Sequence, residues 1–289
     1  MEKHEDSLQF SKLNGMHNPF SLKGMNDALR RIAKAVNERE KIVIYGPNNV
    51  DGVTAVSLLI LVLRYLNADV EYYISDALNE NSGINGDVIK NHIKFIGTKL
   101  IITVACGINS FEEVELCKKF GMDIIITDNH KCIGKIPDTI VINPGQSGCN
   151  YPFKDLTGAG VAFKVVQATA VYYQMKCISK YLDLVMLGTI STGILPIGEN
   201  KIIVDECIYH LNYTNNYGLR ALMKVNHISK IDYNSVEQLT KSIVSETYFK
   251  KTDNARITVE LFTTSNMDRA EQIAKYLKNE LKTNKICAC

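Results

Sequence analysis

The chain has 289 residues, of which 46% are hydrophobic and 22% are charged, and 33 basic against 31 acidic side chains give a net charge of +2. This length allows one large core, or one domain with a smaller appendage, and the balanced charge gives no sequence-wide case for a polyanion partner. The apolar runs are shorter than a membrane helix needs and residues 1–10 are polar, so we expect a cytoplasmic protein with no membrane contact.

The first predicted elements surround a polar loop. We expect residues 1–16 to form a disordered tail. Residues 26–36 carry apolar side chains at helical spacing, and an apolar run at 41–45 then stops at Gly46. A helix-compatible run at 53–66 follows, so the sequence predicts a helix, a buried strand, a loop and a second helix. Ligands of open α/β sheets bind beside such strand ends.

Four more apolar runs follow at intervals typical of alternating strands and helices. They cover residues 70–74, 100–104, 123–127 and 139–142, with helical patterns at 86–96 and 110–120. Ser110, with Glu113 three residues later, predicts a capping box at the start of the second pattern. The alternation predicts an α/β fold with a doubly wound, mostly parallel five-stranded sheet, whose strands end at one rim.

The rest of the chain is predicted to be mainly helical. Gly158 opens a helix to about residue 174, a second covers 181–187 and ends at Gly188, and residues 265–268 cap a final amphipathic helix. We divide the chain into a tail at 1–16, an α/β domain at 17–205 and a helical extension at 206–289. The final helix is expected to bind a protein partner or a second copy of the chain.

The eight cysteines show no paired spacing, which is typical of reduced thiols in a cytosolic protein. Cys287 and Cys289 cannot complete a tetrahedral zinc site alone, so we interpret them as part of an exposed tail. Cys106 has no basic neighbour in the sequence that would activate it as a nucleophile.

Motifs in a fixed order carry a resemblance to a known family. They are Ile44-Tyr45-Gly46, Asp51-Gly52-Val53-Thr54-Ala55, Cys106-Gly107-Ile108, Thr127-Asp128, Ile142-Asn143-Pro144, Gly188-Thr189-Ile190 and Gly198-Glu199-Asn200. With these motifs the chain resembles the DHH phosphoesterase family, and within it the RecJ-type single-strand nucleases, from about residue 17 to 268. The resemblance implies the DHH fold.

The resemblance also implies a metal site that this sequence has largely lost. Members of the family hold two Mn²⁺ or Mg²⁺ ions that activate water for phosphodiester hydrolysis. Of the positions that match the family's site residues, three keep a ligand type: Asp51, Asp128 and His130. Five carry replacements: Pro47, Asn49, Ala105, Asn129 and Thr192.

The remaining charge does not suit two ions. Two divalent ions bring +4, whereas Asp51 and Asp128 supply −2. Leaving the difference uncompensated in a partly desolvated cleft costs several kcal/mol, so we expect neither a metal cofactor nor a catalytic residue. The alternative is a residual phosphodiesterase acting on single-stranded DNA or short oligonucleotides, with one Mn²⁺ or Mg²⁺ held by Asp51, Asp128 and His130.

Structural roles compete with these functional ones. Asp51 is expected to cap the start of its own helix, and Asp128 with His130 to form a hydrogen-bonded pair. Backbone amides of the loops could still hold an anion without any carboxylate. The candidates for this anion site are Asn48, Gly52, Asn143 and Gly145.

Two further departures concern the C-terminal part. The family's Asn-Ala-Ala-Gly-Arg signature is replaced at residues 245–252, and the family's second, substrate-binding domain is expected to be absent. The sequence therefore favours a catalytically degenerate RecJ-like protein, a non-hydrolytic scaffold for a protein partner, with single-stranded nucleic acid as a further candidate ligand. The lysines at 250–285 are interpreted as a solvated face.

Overall fold

The computed structural model describes residues 15–75, 83–243 and 252–286. Its strands are β1 (Lys41–Gly46), β2 (Val70–Ile74), β3 (Thr98–Thr103), β4 (Asp123–Thr127) and β5 (Ile140–Ile142). The helices before β5 are α1 (Met25–Asn37), α2 (Val50–Tyr65), α3 (Gly86–Val88) and α4 (Phe111–Lys119). Those after it are α5 (Gly158–Tyr172), α6 (Leu182–Ser191), α7 (Gly198–His210), α8 (Tyr217–Val225), α9 (Tyr233–Ile243), α10 (Thr252–Thr263) and α11 (Met267–Ile286).

The five strands form one parallel sheet in the order β2-β1-β3-β4-β5. The chain moves from β1 to β2 on one side and then returns to β3 on the other. The strand order therefore reverses between β1 and β3, where doubly wound sheets bind their ligands. The predicted doubly wound five-stranded sheet is confirmed.

The sheet is buried on both faces because its strands are apolar on both. Ile42 and Ile44 face the larger cluster, which also contains α1, α2, α5 and α6. Val43 and Tyr45 face a smaller cluster, which also contains side chains of α4 and of residues 84–93. This pattern follows from the alternation of side chains along a strand and is typical of parallel sheets covered by helices.

The C-terminal helices belong to the larger of the two cores. α10 packs on α2 and α9 packs on α6, and Val259, Phe262 and Leu277 are buried in the same cluster as the sheet residues. The predicted boundary after residue 205 lies inside α7. The apolar side chains of α11 at Ala270, Ile273, Ala274 and Leu277 are buried within the chain, where α11 packs on α8. This face is therefore not a free surface for a partner.

Local predictions needed three corrections. The hydroxyl of Ser110 makes no capping bond and accepts the Ile84 amide at 3.0 Å, so the predicted capping box is wrong. The helix predicted to end at Gly188 continues to Ser191, and the helix predicted at 86–96 is α3 followed by a π-helical turn, Ile89–Ile93. Predictions about residues 1–14, 244–251 and 287–289 lie outside the described residues.

None of the helices in the described ranges combines the length and apolarity needed to cross a membrane.

Candidate functional site

A cleft of about 540 Å³ opens where the strand order reverses. It lies beside the carboxyl ends of β1, β3 and β4, with the end of α6 and one face of α9 as the opposite wall. Its lining comprises Asn49, Val50, Asp51, Ala105, Asn129, His130, Ile190, Ser191, Thr192, Gly193, Ile194, Glu237, Thr240 and Lys241. Eight positions of the sequence resemble the family's metal site, and six of them line this cleft. The two that do not are Pro47 and Asp128. Asp128 lies at the edge of the cleft, where it bonds His130.

Asp51 caps a helix, but not the one predicted. Asn49 caps α2, because its Oδ1 accepts the Gly52 amide at 2.8 Å. The two carboxylate oxygens of Asp51 instead accept the amides of Gly158 at 2.8 Å and Ala159 at 2.7 Å. Asp51 therefore binds the N-terminus of α5, where a negative charge is favoured by the helix dipole.

Small residues make this contact possible. A Cβ atom on Gly158 would lie 2.7 Å from Asp51 Oδ2, and one on Gly188 would lie 3.0 Å from Asp51 Oδ1. Asp51 is 8% exposed, and burial raises the pKa of its carboxyl to about 6. The bonds from Ala159 and Gly158 lower this pKa without cancelling the effect of burial. The carboxylate is thus fixed to the backbone through both of its oxygens.

This raised pKa predicts a pH dependence of stability. The group binds its proton more tightly in the folded chain, so the stabilisation that comes from this proton is fully present below pH 3.8 and is lost as pH rises through about 6. The shift corresponds to roughly 3 kcal/mol. We expect the unfolding free energy of the wild type, minus that of Asp51→Asn, to fall by this order between pH 4 and pH 7. Denaturant titrations of both proteins measure it; a flat difference would contradict the raised pKa.

Asp128 and His130 form a hydrogen-bonded pair at the end of β4. Asp128 Oδ1 lies 2.7 Å from His130 Nδ1 and accepts the His130 amide at 3.0 Å, while Oδ2 accepts the Ile108 amide at 2.9 Å. Asp128 is 1% exposed, whereas the His130 side chain is 67% exposed. The bond from Asp128 raises the pKa of His130 above its usual value. The expected structural pair is therefore present.

The replaced positions supply weak or no ligands. Ala105 has no donor atom and adopts a left-handed conformation with φ 53°, which aspartate and asparagine tolerate better than alanine. Thr192 Oγ1 donates to the carbonyl of Thr189 at 2.8 Å. Asn129 Oδ1 is buried and has no hydrogen-bond partner among the described residues. The side chains of Ala105, Thr192 and Asn129 thus bring no charge to the cleft.

The four anion-binding candidates lie outside the cleft lining. The Gly145 amide donates to Asn143 Oδ1 at 2.7 Å, and Asn143 Nδ2 donates to the His130 carbonyl at 2.8 Å. The Gly52 amide is engaged by Asn49, and Asn48 is 1% exposed. These bonds stabilise the loops, and an anion-binding role for the four residues stays a prediction.

The residues present do not fit two divalent ions. Across residues 15–75, 83–243 and 252–286, no three His, Cys, Asp or Glu side chains come together in a group that could hold a metal. Both oxygens of Asp51 and both of Asp128 already accept hydrogen bonds from the protein. Cys106 adds no reactive thiolate, because burial raises its pKa well above the usual value.

Sequence reasoning missed the contribution of α9. Glu237, Thr240 and Lys241 line the cleft, and Lys241 Nζ lies 2.6 Å from Glu237 Oε1. Their spacing of three and four residues places them on one helix face. That spacing predicts a polar face on the helix. It does not indicate that this face lines the cleft.

The chain is similar to known proteins over most of its length. Residues 41–189 match the DHH family, N-terminal domain. The single-stranded-DNA-specific exonuclease RecJ of Bacillus subtilis is 40% identical over 211 residues, which are 73% of this chain and 26% of that protein. The RecJ of Haemophilus influenzae is 30% identical over 292 residues, covering 94% of this chain and 49% of that protein.

Solved structures agree in fold. A crystal structure of exonuclease RecJ bound to manganese superposes with a TM-score of 0.81 at 25% identity and covers 89% of this chain and 65% of that one. RecJ from Thermus thermophilus in complex with Mn²⁺ gives 0.77 at 23% identity, covering 89% and 37% of the two chains, and supports the fold alone. The chain spans between about a quarter and a half of the length of the two curated relatives described above.

Proposed function

The chain belongs to the DHH family and is RecJ-like, and from this membership we propose that it is a catalytically degenerate member that binds without hydrolysing phosphodiesters. The observation that carries the proposal is the composition of the cleft. At the positions that match the family's metal site, proline, alanine, asparagine and threonine replace metal ligands. The surrounding fold is retained, with its glycine contacts and its parallel sheet.

The retained carboxylates support a structural role. Asp51 holds the start of α5, and Asp128 holds both His130 and the loop amide of Ile108. Such bonds to backbone amides contribute to stability whether or not a metal is bound. The presence of Asp51 and Asp128 therefore needs no catalytic explanation. The replacements at the other positions that match the family's metal site are the stronger argument for a loss of hydrolysis.

A second candidate function is a residual phosphodiesterase that uses one Mn²⁺ or Mg²⁺. The names of the relatives, which are single-strand-specific exonucleases, favour it. Its ligands would be Asp51, Asp128 and the Nε2 of His130, whose other ring nitrogen is engaged by Asp128. This candidate differs from the first in requiring measurable affinity for one metal ion per chain.

We propose that the binding partner is another protein, a second copy of this chain or single-stranded nucleic acid. Association through α11 would have to use its exposed residues, such as Lys275 and Tyr276, because the apolar face is buried. Binding of nucleic acid would weaken steeply with salt, since phosphate contacts release counterions.

The proposal is tested by incubating the purified chain with end-labelled single-stranded DNA and Mn²⁺ and resolving the products on a denaturing gel. We expect no shortening under conditions in which the B. subtilis RecJ degrades the strand. A His130→Gln variant is the matched control, because the exposed ring can be replaced without opening the core. Shortening that the variant abolishes would show that the cleft is catalytic.

A further inference from the structure

The start of the described chain is held against α7 by a buried charge network. The Glu199 carboxylate, in the first turn of α7, accepts the His17 amide at 2.8 Å and the Lys164 ammonium at 2.6 Å. Lys164 also donates to the His17 carbonyl at 3.1 Å, and the hydroxyl of Tyr151 donates to the other oxygen of Glu199. Lys164 and Glu199 are 0% and 1% exposed. Both backbone groups of His17 are therefore bound beside the first turn of α7.

From His17 the chain can be followed backwards along α7. The backbone of Gly15 lies so close to Ile202 that a Cβ atom there would be 2.9 Å from Ile202 Cδ1. Glu199 and Ile202 are about one helical turn apart, so the step from residue 17 to residue 15 leads toward the C-terminal end of α7. Residues 1–14 precede this point and lie outside the described part of the chain. Any path that they take therefore begins on α7, on the side that carries Ile202.

This side of α7 carries an exposed row of aromatic side chains. Tyr209 and Tyr213 are 75% and 80% exposed, and Ile202 is half-buried. Their spacing of seven and four residues places the three side chains in one row along α7 and the 3-10 turn that follows it, and Glu206 belongs to the same row. We call Ile202, Glu206, Tyr209 and Tyr213 the α7 stripe. It extends about 10 Å from Ile202 to Tyr209, because a helix rises by about 1.5 Å per residue.

The residues before Gly15 change from polar to apolar as they approach it. Residues 2–7 are polar or charged, whereas Leu8, Phe10 and Leu13 are apolar. Removal of such side chains from water is favourable wherever they meet another apolar surface. The apolar surface that begins where Gly15 lies is the α7 stripe.

Length and charge match this stripe as well. An extended chain covers about 3.3 Å per residue, so Phe10 reaches about 17 Å from Gly15, which is enough to contact the tyrosines of the stripe. Between positions 8 and 14 the basic residue is Lys12, and Glu206 gives the stripe a negative charge. A segment tethered so closely acts at an effective concentration of about millimolar, so it displaces a free partner of equal intrinsic affinity.

We propose that residues 8–14 dock on the α7 stripe of their own chain, with Phe10 against the two tyrosines and Lys12 beside Glu206. Docking covers aromatic surface that would otherwise be available for association between copies of the chain. The stripe is then not a surface for a protein partner unless the segment is displaced. This inference does not depend on the loss of hydrolysis.

The test uses the absence of tryptophan from the sequence. Phe10→Trp introduces a single fluorescent reporter into the full chain, and quenching by acrylamide measures its exposure. We expect blue-shifted emission and several-fold weaker quenching than for free N-acetyltryptophanamide, because the docked indole is shielded from water. Both effects should be lost when Tyr209→Ser and Tyr213→Ser are added. The matched control adds Tyr65→Ser and Tyr172→Ser, exposed tyrosines at the ends of α2 and α5, and should leave the emission unchanged.

Dilution distinguishes the chain's own segment from a second copy. Weak quenching that stays constant on dilution supports docking within one chain. Quenching that becomes stronger on dilution, together with a falling mass by light scattering, assigns the stripe to a second copy and overturns the inference. Quenching as strong as that of the free indole compound overturns it too, as does weak quenching that survives the loss of Tyr209 and Tyr213.

Nitration of the stripe tyrosines gives a second reading with the natural residue at position 10. Tetranitromethane modifies exposed tyrosines, and mass spectrometry locates the products. We expect Leu8→Ser, Phe10→Ser and Leu13→Ser, combined in one variant, to raise the nitration rate of Tyr209 and Tyr213 several-fold. An unchanged rate at both tyrosines would contradict docking.

Discussion

Replacement of Asp51 by alanine is expected to lower the free energy of unfolding by about 2–6 kcal/mol. The change removes the acceptor of two buried amides, those of Gly158 and Ala159, and each unsatisfied buried donor costs about 1–3 kcal/mol. Gly158 and Ala159 are themselves buried, so only water that enters from the cleft could replace the lost acceptor.

Urea denaturation at neutral pH measures this effect. Asp268→Ala is the matched control, because Asp268 lies in the first turn of α11 and is exposed, so its loss should change stability by less than about 0.5 kcal/mol. An equally small effect of Asp51→Ala would contradict the capping role. The prediction also has a practical consequence: loss of activity in Asp51→Ala would not by itself identify a catalytic aspartate.

Restoration of the family's acids is expected to create a metal site. The variant would carry aspartate at positions 47, 49, 105 and 192 and histidine at 129, which changes the charge of the cleft's family positions from −2 to −6. Without metal it should be less stable than the wild type, because like charges repel in a partly desolvated cleft. Mn²⁺ at about 100 times its dissociation constant should raise the free energy of unfolding of this variant by about 2.7 kcal/mol.

The backbone at Ala105 favours this outcome. Its left-handed conformation is one that aspartate adopts more readily than alanine, so the substitution should not strain the loop. Thermal unfolding with and without Mn²⁺ provides the measurement. A control variant with aspartate at the exposed positions Asn212 and Asn215 should show no metal-dependent shift. If Mn²⁺ raised the unfolding temperature of the wild type and of the restored chain equally, the replaced positions would not be what excludes the metal.

The sheet could be predicted from sequence because its signals are local. Each strand is a short apolar run, and the alternation of runs with helical patterns determines parallel pairing and the common rim. The positions that line the cleft follow from that rim, which is why Asp51, Ala105 and Asn129 could be expected together. The predicted pair of Asp128 and His130 is likewise a contact between residues two apart.

Contacts between distant segments could not be predicted in the same way. Asp51 bonds amides that lie 107 and 108 residues further along the chain, and nothing near Asp51 indicates which helix it caps. Ser110 was predicted to cap its own helix, but its hydroxyl oxygen accepts a hydrogen bond from the amide of Ile84, 26 residues earlier. The α9 wall of the cleft depends on packing against α6. Tertiary packing overrode local propensity at each of these places.

Titration of the wild-type chain with MnCl₂ in a calorimeter tests the central claim most directly. We expect no binding of two ions, because the four carboxylate oxygens of Asp51 and Asp128 already accept hydrogen bonds from the protein and Glu237 is paired with Lys241. Two Mn²⁺ bound per chain, with an affinity that the restored variant does not improve, would contradict the account.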